Sequence, residues 1–358
     1  MTTQHIIPPA QIESQLLKIW EGLAKENKMR ACLFNLIVFN KLSGRTDYFR
    51  NIVQKVLEKY PCRVIFISSD PDSSQNYLKT AVSVVTPPNG SDLIACDYID
   101  IGVAGPLLAR VPFVLLPHII PDLPVSLLWA EDCSEPHPLF EPLSKLANRI
   151  IFDSESAESL LAFSQKVLKI KKETNLDIAD LNWARIEGWR ELVFSTFSPK
   201  DLQGHLQEIS KVEISYNSQE TEFFCHLKIQ AMYLLAWISS RLGWKFKRAS
   251  KNLHFDFDQT EAQIYSAIWQ KLGPGTVISI NIETKSGYSF HCARIPKEYH
   301  RVSIQIASKE KCELPYQFVL GQTATGQSLV KEIITQGTSA HYLEMLETLN
   351  SLDRDQLC

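Results

Sequence analysis

The sequence predicts two layered cores: an amino-terminal α/β domain over residues 1–172, with a mainly parallel sheet and flanking helices, and a carboxy-terminal α+β domain over 173–358, with helices packed on an antiparallel sheet. Three observations carry that expectation. At 358 residues the chain is too long for one ordinary core, since domains run to roughly 100 to 200 residues. The first half alternates short apolar runs with helical periodicity, the pattern of a parallel sheet. The second half opens with helices and then passes into strand-like runs separated by turn residues. Hydrophobic residues at 45% and charged residues at 22% supply enough apolar material for both cores, which excludes a disordered chain.

Residues 9–27 place Ile12, Leu16, Ile19, Trp20 and Leu23 at spacings of three and four, so an amphipathic helix opens the chain. Runs at 31–39 and 63–68 flank a helical segment over 47–59, giving strand, helix, strand. Further buried-strand patterns lie at 81–85, 93–99, 125–129 and 149–152, with helical patterns at 107–116 and 139–146. A helix from 154 to about 168 leads into the charged stretch 169–175, where the domain boundary falls. Helices are expected over 178–197, 199–209 and 221–242, then strands at 245–248, 253–257, 277–283, 289–295 and 301–307. Gly273-Pro274-Gly275 and Lys285-Ser286-Gly287 supply turns, and helices over 328–335 and 340–352 close the chain.

Lys and Arg total 37 against 40 Asp and Glu, a formal charge of −3. No long-range positive field is available to gather nucleic acid or anionic lipid. The most apolar stretch, 232–238, is bracketed by Glu222, His226, Lys228 and Arg241, so no membrane crossing is expected. Eight cysteines show no C-x-x-C pair and read as reduced thiols without a structural disulfide, Cys358 being the one expected at the surface. The first nine residues lack a charged segment followed by an apolar one, so a cytoplasmic protein is expected. The Asn89-Gly90-Ser91 sequon is then a chance match.

The first half contains no G-x-G-x-x-G, so a nicotinamide cofactor is disfavoured and none is expected. The loop from Gly321 to Ser328 has the length of a phosphate-binding loop, but Gln327 stands where its lysine belongs, and a plain helix entry is the simpler reading. His254, Asp256 and Asp258 alternate and on a strand would share one face, a pattern that can hold a divalent ion; Phe255 and Phe257 on the other face favour an ordinary outer strand, and no metal is expected. Neither a G-x-S-x-G elbow nor an H-E-x-x-H helix is present, and no catalytic group is expected.

The densest cluster runs from Asp180 through Trp183, Arg185 and Trp189 to Arg190. As one helix, Ile178, Leu181, Arg185, Trp189 and Leu192 share a side, while Trp183, Ile186, Arg190, Val193 and Phe197 share another. Both sides are mostly apolar, so the helix is expected to be buried, with each arginine reaching a carboxylate such as Asp153, Asp177 or Asp180, a carbonyl, or an anionic ligand.

Several segments resemble one family. They are Cys62-Arg63-Val64-Ile65, Asp122-Leu123-Pro124-Val125-Ser126-Leu127-Leu128-Trp129, Arg149-Ile150-Ile151-Phe152-Asp153-Ser154, Asp180-Leu181-Asn182-Trp183-Ala184-Arg185 with Trp189-Arg190, and Ala236-Trp237-Ile238-Ser239-Ser240-Arg241-Leu242-Gly243-Trp244. In this order they are similar to the OpcA family, glucose-6-phosphate dehydrogenase assembly proteins, from about residue 30 to the carboxyl terminus. The resemblance implies a non-catalytic protein that binds glucose-6-phosphate dehydrogenase and supports its assembly or activation in the oxidative pentose phosphate pathway, under redox control in photosynthetic members. The chain departs from the usual pattern at Leu128, where the family often carries a second tryptophan. Trp129, Arg149, Trp244 and Arg248 lie in or beside these segments and are the expected partner contacts. Two other readings stay open: a sugar-phosphate enzyme with Arg185 and Arg190 clamping phosphate and Asp122 or Asp153 as acid or base, and an interaction protein with a different partner.

Overall fold

The computed structural model describes residues 5–86, 93–221, 226–250, 252–321 and 326–351. The chain groups into two compact units. One comprises Met1–Asp153, Ile170–Leu181 and Thr325–Gly337; the other comprises Ser154–Lys169, Asn182–Ala324 and Thr338–Cys358. The sequon at Asn89, positions 322–325 of the Gly321 loop, Cys225 and Cys358 lie outside the described residues.

The elements run β1 (His5–Ile7), α1 (Ile12–Ala24), β2 (Met29–Arg30), β3 (Asn35–Lys41), α2 (Arg45–Leu57), β4 (Arg63–Ser69), β5 (Tyr77–Val85), β6 (Ile94–Ala104), α3 (Val111–Leu115), β7 (Val125–Trp129), α4 (Phe140–Ser144), β8 (Arg149–Phe152), α5 (Leu160–Glu173) and β9 (Asp177–Asp180). The nine-stranded sheet of the first unit has the order β1-β5-β6-β4-β3-β7-β8-β9, with β2 pairing β6. From β6 to β9 every pairing is parallel, and only β5 and β1 run against their neighbours. Consecutive residues Leu36 to Phe39 and Val64 to Ile67 are all buried, at odd and even positions alike, because both faces of a parallel sheet are covered. On one face Leu36, Val38, Val64 and Phe66 meet Phe49, Ile52, Val53 and Val56 of α2.

The chain continues through α6 (Leu181–Arg185), α7 (Glu187–Thr196), α8 (Lys200–Gln203), β10 (Ile209–Asn217), α9 (Ile229–Leu242), β11 (Phe246–Ser250), β12 (His254–Phe257), β13 (Glu261–Ala267), β14 (Val277–Thr284), β15 (Ser289–Ile295), β16 (Glu298–Ala307), β17 (Tyr316–Val319), α10 (Gln327–Ile334) and α11 (Ala340–Ser351). The second unit carries an eight-stranded sheet, β11-β12-β13-β10-β14-β15-β16-β17, antiparallel except for the β10–β13 pair. Its strands alternate: Val212, Ile214, Ile280, Ile282, Phe290, Cys292, Val302 and Ile304 are buried on one face, and the residues between them are not. The helix α9 is buried from Ile229 to Ser239, packs beside β10, β13 and α11, and ends on Gly243 at φ 64, the left-handed cap that glycine adopts without strain.

The α10 entry explains one feature of the Gly321 loop. Gly326 sits at φ 89, and a Cβ there would stand 2.8 Å from the Cβ of Lys55 on α2, so α10 approaches α2 closely through a residue without a side chain.

Three sequence expectations need correction. The single helix over 178–197 is a strand followed by two helices: Asp177–Asp180 pairs in parallel with β8, and the helix is interrupted at Ile186 (φ −90, ψ 3). The helix over 199–209 is the short α8 with a further turn, and Ile209 opens β10. The helix over 221–242 begins only at Ile229, whose predecessor Lys228 is its amino-terminal cap. β10, β13 and β17 escaped the sequence reading.

Trp183 and Trp189 are both buried, as expected. Trp183 packs against Tyr342 with ring centroids 5.6 Å apart, and the Arg294 guanidinium lies 5.5 Å from the Trp189 ring. Trp183→Ala and Trp189→Ala should each cost about 3 to 5 kcal/mol, the range for truncating a buried aromatic. Chemical denaturation of the two variants measures it, and wild-type midpoints would contradict the packing.

Candidate functional site

The strand order β6-β4-β3-β7-β8-β9 is that of the doubly wound, dinucleotide-binding sheet, whose ligand crevice lies at the carboxyl ends of the strands where the order reverses. Here that point falls between β3 and β7. A pyrophosphate held there needs free backbone amides in the turn after β3 and an approach clear of negative charge.

In the turn Asn40-Lys41-Leu42-Ser43-Gly44-Arg45-Thr46 most amides are already bonded within the chain. Lys41 N–H donates to Glu131 Oε1 at 2.6 Å, Leu42 N–H to the Ser69 carbonyl at 2.6 Å, Ser43 N–H to Thr46 Oγ1 at 3.1 Å, Arg45 N–H to Ser43 Oγ at 3.2 Å, and Thr46 N–H to the Ser43 carbonyl at 3.0 Å. The buried Asn40 amide clamps the turn from beneath, donating to Thr46 Oγ1 at 2.8 Å and to the Lys41 carbonyl at 2.7 Å. Glu131, just beyond β7, also pairs with Lys41 Nζ at 3.5 Å, and burial pushes its carboxyl above the usual range. Arg45 in the first turn of α2 pairs with the fully buried Asp153 at 2.5 Å. The chain has placed its own carboxylates and ion pairs where a phosphate would sit.

Aromatic packing closes the floor of the crevice. Trp129 stacks on Phe39 with centroids 4.4 Å apart, His137 lies 4.6 Å from Phe39 and 5.2 Å from Trp129, and Phe140 meets Trp129 edge-on at 4.9 Å. Burial, with a smaller contribution from the charge of Lys41, pulls the His137 imidazole down to about 4. These donors do not suit a dinucleotide.

Trp129 is 0% exposed within the stack. Arg149 is buried, donating to Glu332 at 2.7 Å and to the Gly337 carbonyl at 2.8 Å. Asp180 is buried on β9. Arg185 donates to the Asn182 side chain at 2.7 Å, and Arg190 lies 3.5 Å over the Trp183 ring and donates to the Trp183 carbonyl at 3.3 Å. Asp153 pairs with Arg45, and Asp177 accepts from Gly337 N–H at 3.0 Å. Asp122 precedes β7, at the end of the strand opposite the crevice, in a left-handed turn with φ 64. Trp244 and Arg248 lie at one edge of the eight-stranded sheet, Trp244 half-buried against Phe257 at 5.5 Å and Arg248, 81% exposed, paired with Asp256.

On β12, His254 Nε2 meets Asp256 at 3.0 Å, but Asp258 lies past the strand end. The third group brought near is Glu261 of β13, opposite Asp256. Sequence spacing alone did not reveal Glu261, because it sits across a turn on the next strand. Lys41 and Glu131 were missed for the same reason: the pairing spans 90 residues.

Comparison with known proteins now bears on this geometry. Residues 53–168 match the family model for the glucose-6-phosphate dehydrogenase subunit N-terminal domain, and residues 176–357 match that for its C-terminal domain. The chain belongs to the OpcA family. Curated relatives named "Putative OxPP cycle protein OpcA" are 28% identical in Nostoc punctiforme, over 57% of this chain and 43% of that protein, and 28% identical in Synechocystis, over 54% and 39%. This OpcA-family chain thus spans less than half the length of the curated relatives it matches. Among solved structures, a levoglucosan dehydrogenase complexed with NADH and L-sorbose has a TM-score of 0.49 at 10% identity, covering 91% of this chain and 92% of that one, and the UDP-N-acetylglucosamine 3-dehydrogenase GnnA from Acidithiobacillus ferrooxidans has 0.48 at 9%, covering 91% and 98%.

Two outcomes follow for the crevice. Millimolar NAD or NADP, oxidised or reduced, should leave the melting temperature and tryptophan fluorescence unchanged, since any ligand bound to the native state raises stability by mass action. The His137 ring carbons should report a neutral imidazole at about pH 5.5, where an unperturbed histidine is mostly charged. Its folded value lies below the ordinary 6.5, so the unfolded chain binds the proton first, and His137 contributes a loss of stability as pH falls from 6.5 toward about 4.

Proposed function

We propose that the chain is a non-catalytic, cytoplasmic partner of glucose-6-phosphate dehydrogenase that supports its oligomerisation or activity at the entry to the oxidative pentose phosphate pathway. The observation that carries this reading is the pair of family-model matches, which together take in most of the chain from residue 53 to residue 357. The crevice chemistry supports it from a second side. In a doubly wound sheet the turn after β3 is the main place to hold a dinucleotide, and here five of its amides are bonded within the chain, with Glu131 and the Arg45–Asp153 pair beside it. A phosphate clamp by Arg185 and Arg190 gains nothing from the geometry, because Arg185 engages Asn182 and Arg190 lies on Trp183.

An activator of this kind is bound by linkage. If it raises the dehydrogenase's affinity for glucose 6-phosphate, it must itself bind more tightly when that sugar phosphate is present, by the same factor. The test is titration of purified cognate dehydrogenase with this chain, following initial rates and the mass distribution with and without glucose 6-phosphate. The expected result is a complex at micromolar concentrations or below, with a shift in oligomeric state or apparent KM and no turnover by the chain alone. No complex under reducing or oxidising conditions would overturn the reading.

A further inference from the structure

The eight-stranded sheet of the second unit has one face under α9 and the other without a covering element among the described residues. On that second face the register aligns side chains into rows that cross the strands. One row runs Arg248, Asp256, Glu261, Lys211, Glu283 from β11 to β14, in register along the paired strands. The next row includes Glu213 opposite Asn281, and the row after it is small over four strands, Ser215, Ser279, Ala293 and Ser303, between Tyr265 of β13 and Gln317 of β17. All of these residues are half-buried or exposed. The middle of the face is therefore flat and polar.

Its size and charge say what fits it. Seven strands about 4.8 Å apart, crossed by three rows about 7 Å apart, present on the order of 600 Å². Counting both surfaces gives about 1,200 Å², above the roughly 1,000 Å² expected of a specific interface. On these rows two cations, Arg248 and Lys211, stand against four carboxylates, Asp256, Glu261, Glu213 and Glu283, so the patch is formally −2. Lys211 is already paired with Glu213 at 2.8 Å and Arg248 with Asp256, which leaves Glu261 and Glu283 as the surplus charge. A second copy is a poor occupant: a two-fold contact sets the patch against itself, so two surfaces of the same net negative charge would meet.

We infer that this open sheet face is the docking surface for glucose-6-phosphate dehydrogenase, which would present a flat, net basic surface to it. The inference rests on the proposed partnership and adds where the contact is made. Charge complementarity of this kind speeds association and makes it salt-dependent.

The experiment uses the full chain and purified cognate dehydrogenase. Ser279→Arg and Ser303→Arg place a large cation on the small row, and Glu283→Lys reverses one surplus charge; each should raise the dissociation constant at least tenfold, while Phe113→Ser on the first unit leaves it unchanged. Carbodiimide labelling of the wild-type carboxylates needs no variant, so it decides the matter if a substituted strand fails to fold: Glu261 and Glu283 should lose labelling in the complex. Absence of any wild-type complex sinks the partnership itself. A wild-type complex that the three variants form equally well, or that leaves both glutamates labelled as in the free chain, sinks the docking face alone. A chain that dimerises by itself through this face, with the dimer lost in the variants, gives the face to self-association and overturns the inference.

Discussion

A strand that reaches its parallel neighbour through a helical crossover is covered on both faces, whereas an antiparallel strand can leave one face to water. That constraint sorts this chain. In the first unit it makes the middles of β3 and β4, Leu36 to Phe39 and Val64 to Ile67, apolar at odd and even positions alike, because a polar side chain on either face would be buried without water. In the second it produces the alternation of Phe290, Cys292 and Arg294 with His291 and Ala293, and leaves half of the eight-stranded sheet's side chains uncovered. The site where a ligand could enter and the surface where a partner could sit therefore belong to different sheets for topological reasons.

Buried charge in the first unit is paired rather than avoided. Asp97 accepts from Trp20 at 2.7 Å, from Arg30 at 2.5 Å and from Arg63 at 2.8 Å, and Arg63 also reaches Glu13 at 3.1 Å and the His118 carbonyl at 2.7 Å. One carboxylate so ties α1 and β2 to β4 and β6. The hydrogen bond from His118, aided by Arg63, holds the Glu13 carboxyl below its usual range. Desolvating such a cluster offsets much of its Coulombic gain, but removing one member would leave the others charged and dry, which costs far more. The thiols nearby are the opposite case: Cys62 is fully buried and Cys96 is pushed up to about 11 by burial, so neither is a ready nucleophile.

Much of the fold was legible because periodicity reports burial. The β7 and β8 bounds read from apolar runs agree with the structure, as do α1 and α11 within a few residues. The failures share a cause. Asp177–Asp180 is too short and polar at its ends to declare a strand, and it becomes one only because β8 offers a parallel edge. In β13 the buried Ala262 and Ile264 alternate with Glu261, Gln263 and Tyr265, too few apolar residues to stand out beside the turn at Gln259. At the crevice the sequence named Asp153 and Trp129 without their pairings to Arg45 and Phe39, which lie about a hundred residues away, since sequence distance carries no geometry.

The sealed crevice separates architecture from chemistry. A doubly wound sheet needs the crossovers and the buried parallel strands, and both persist here; dinucleotide binding needs in addition free amides and a glycine-lined approach in a single turn. Those few groups can be redirected without disturbing the sheet. Glu131 satisfies the Lys41 amide, Thr46 satisfies that of Ser43, and the aromatic stack of Phe39, Trp129 and Phe140 fills the volume beneath. Each replacement removes an unsatisfied donor or a void that an empty ligand site would otherwise retain, so closing the crevice stabilises the unit while abolishing the site. The parallel sheet thus persists on its crossovers and buried strands alone, and the chemistry of the turn after β3 varies independently of it.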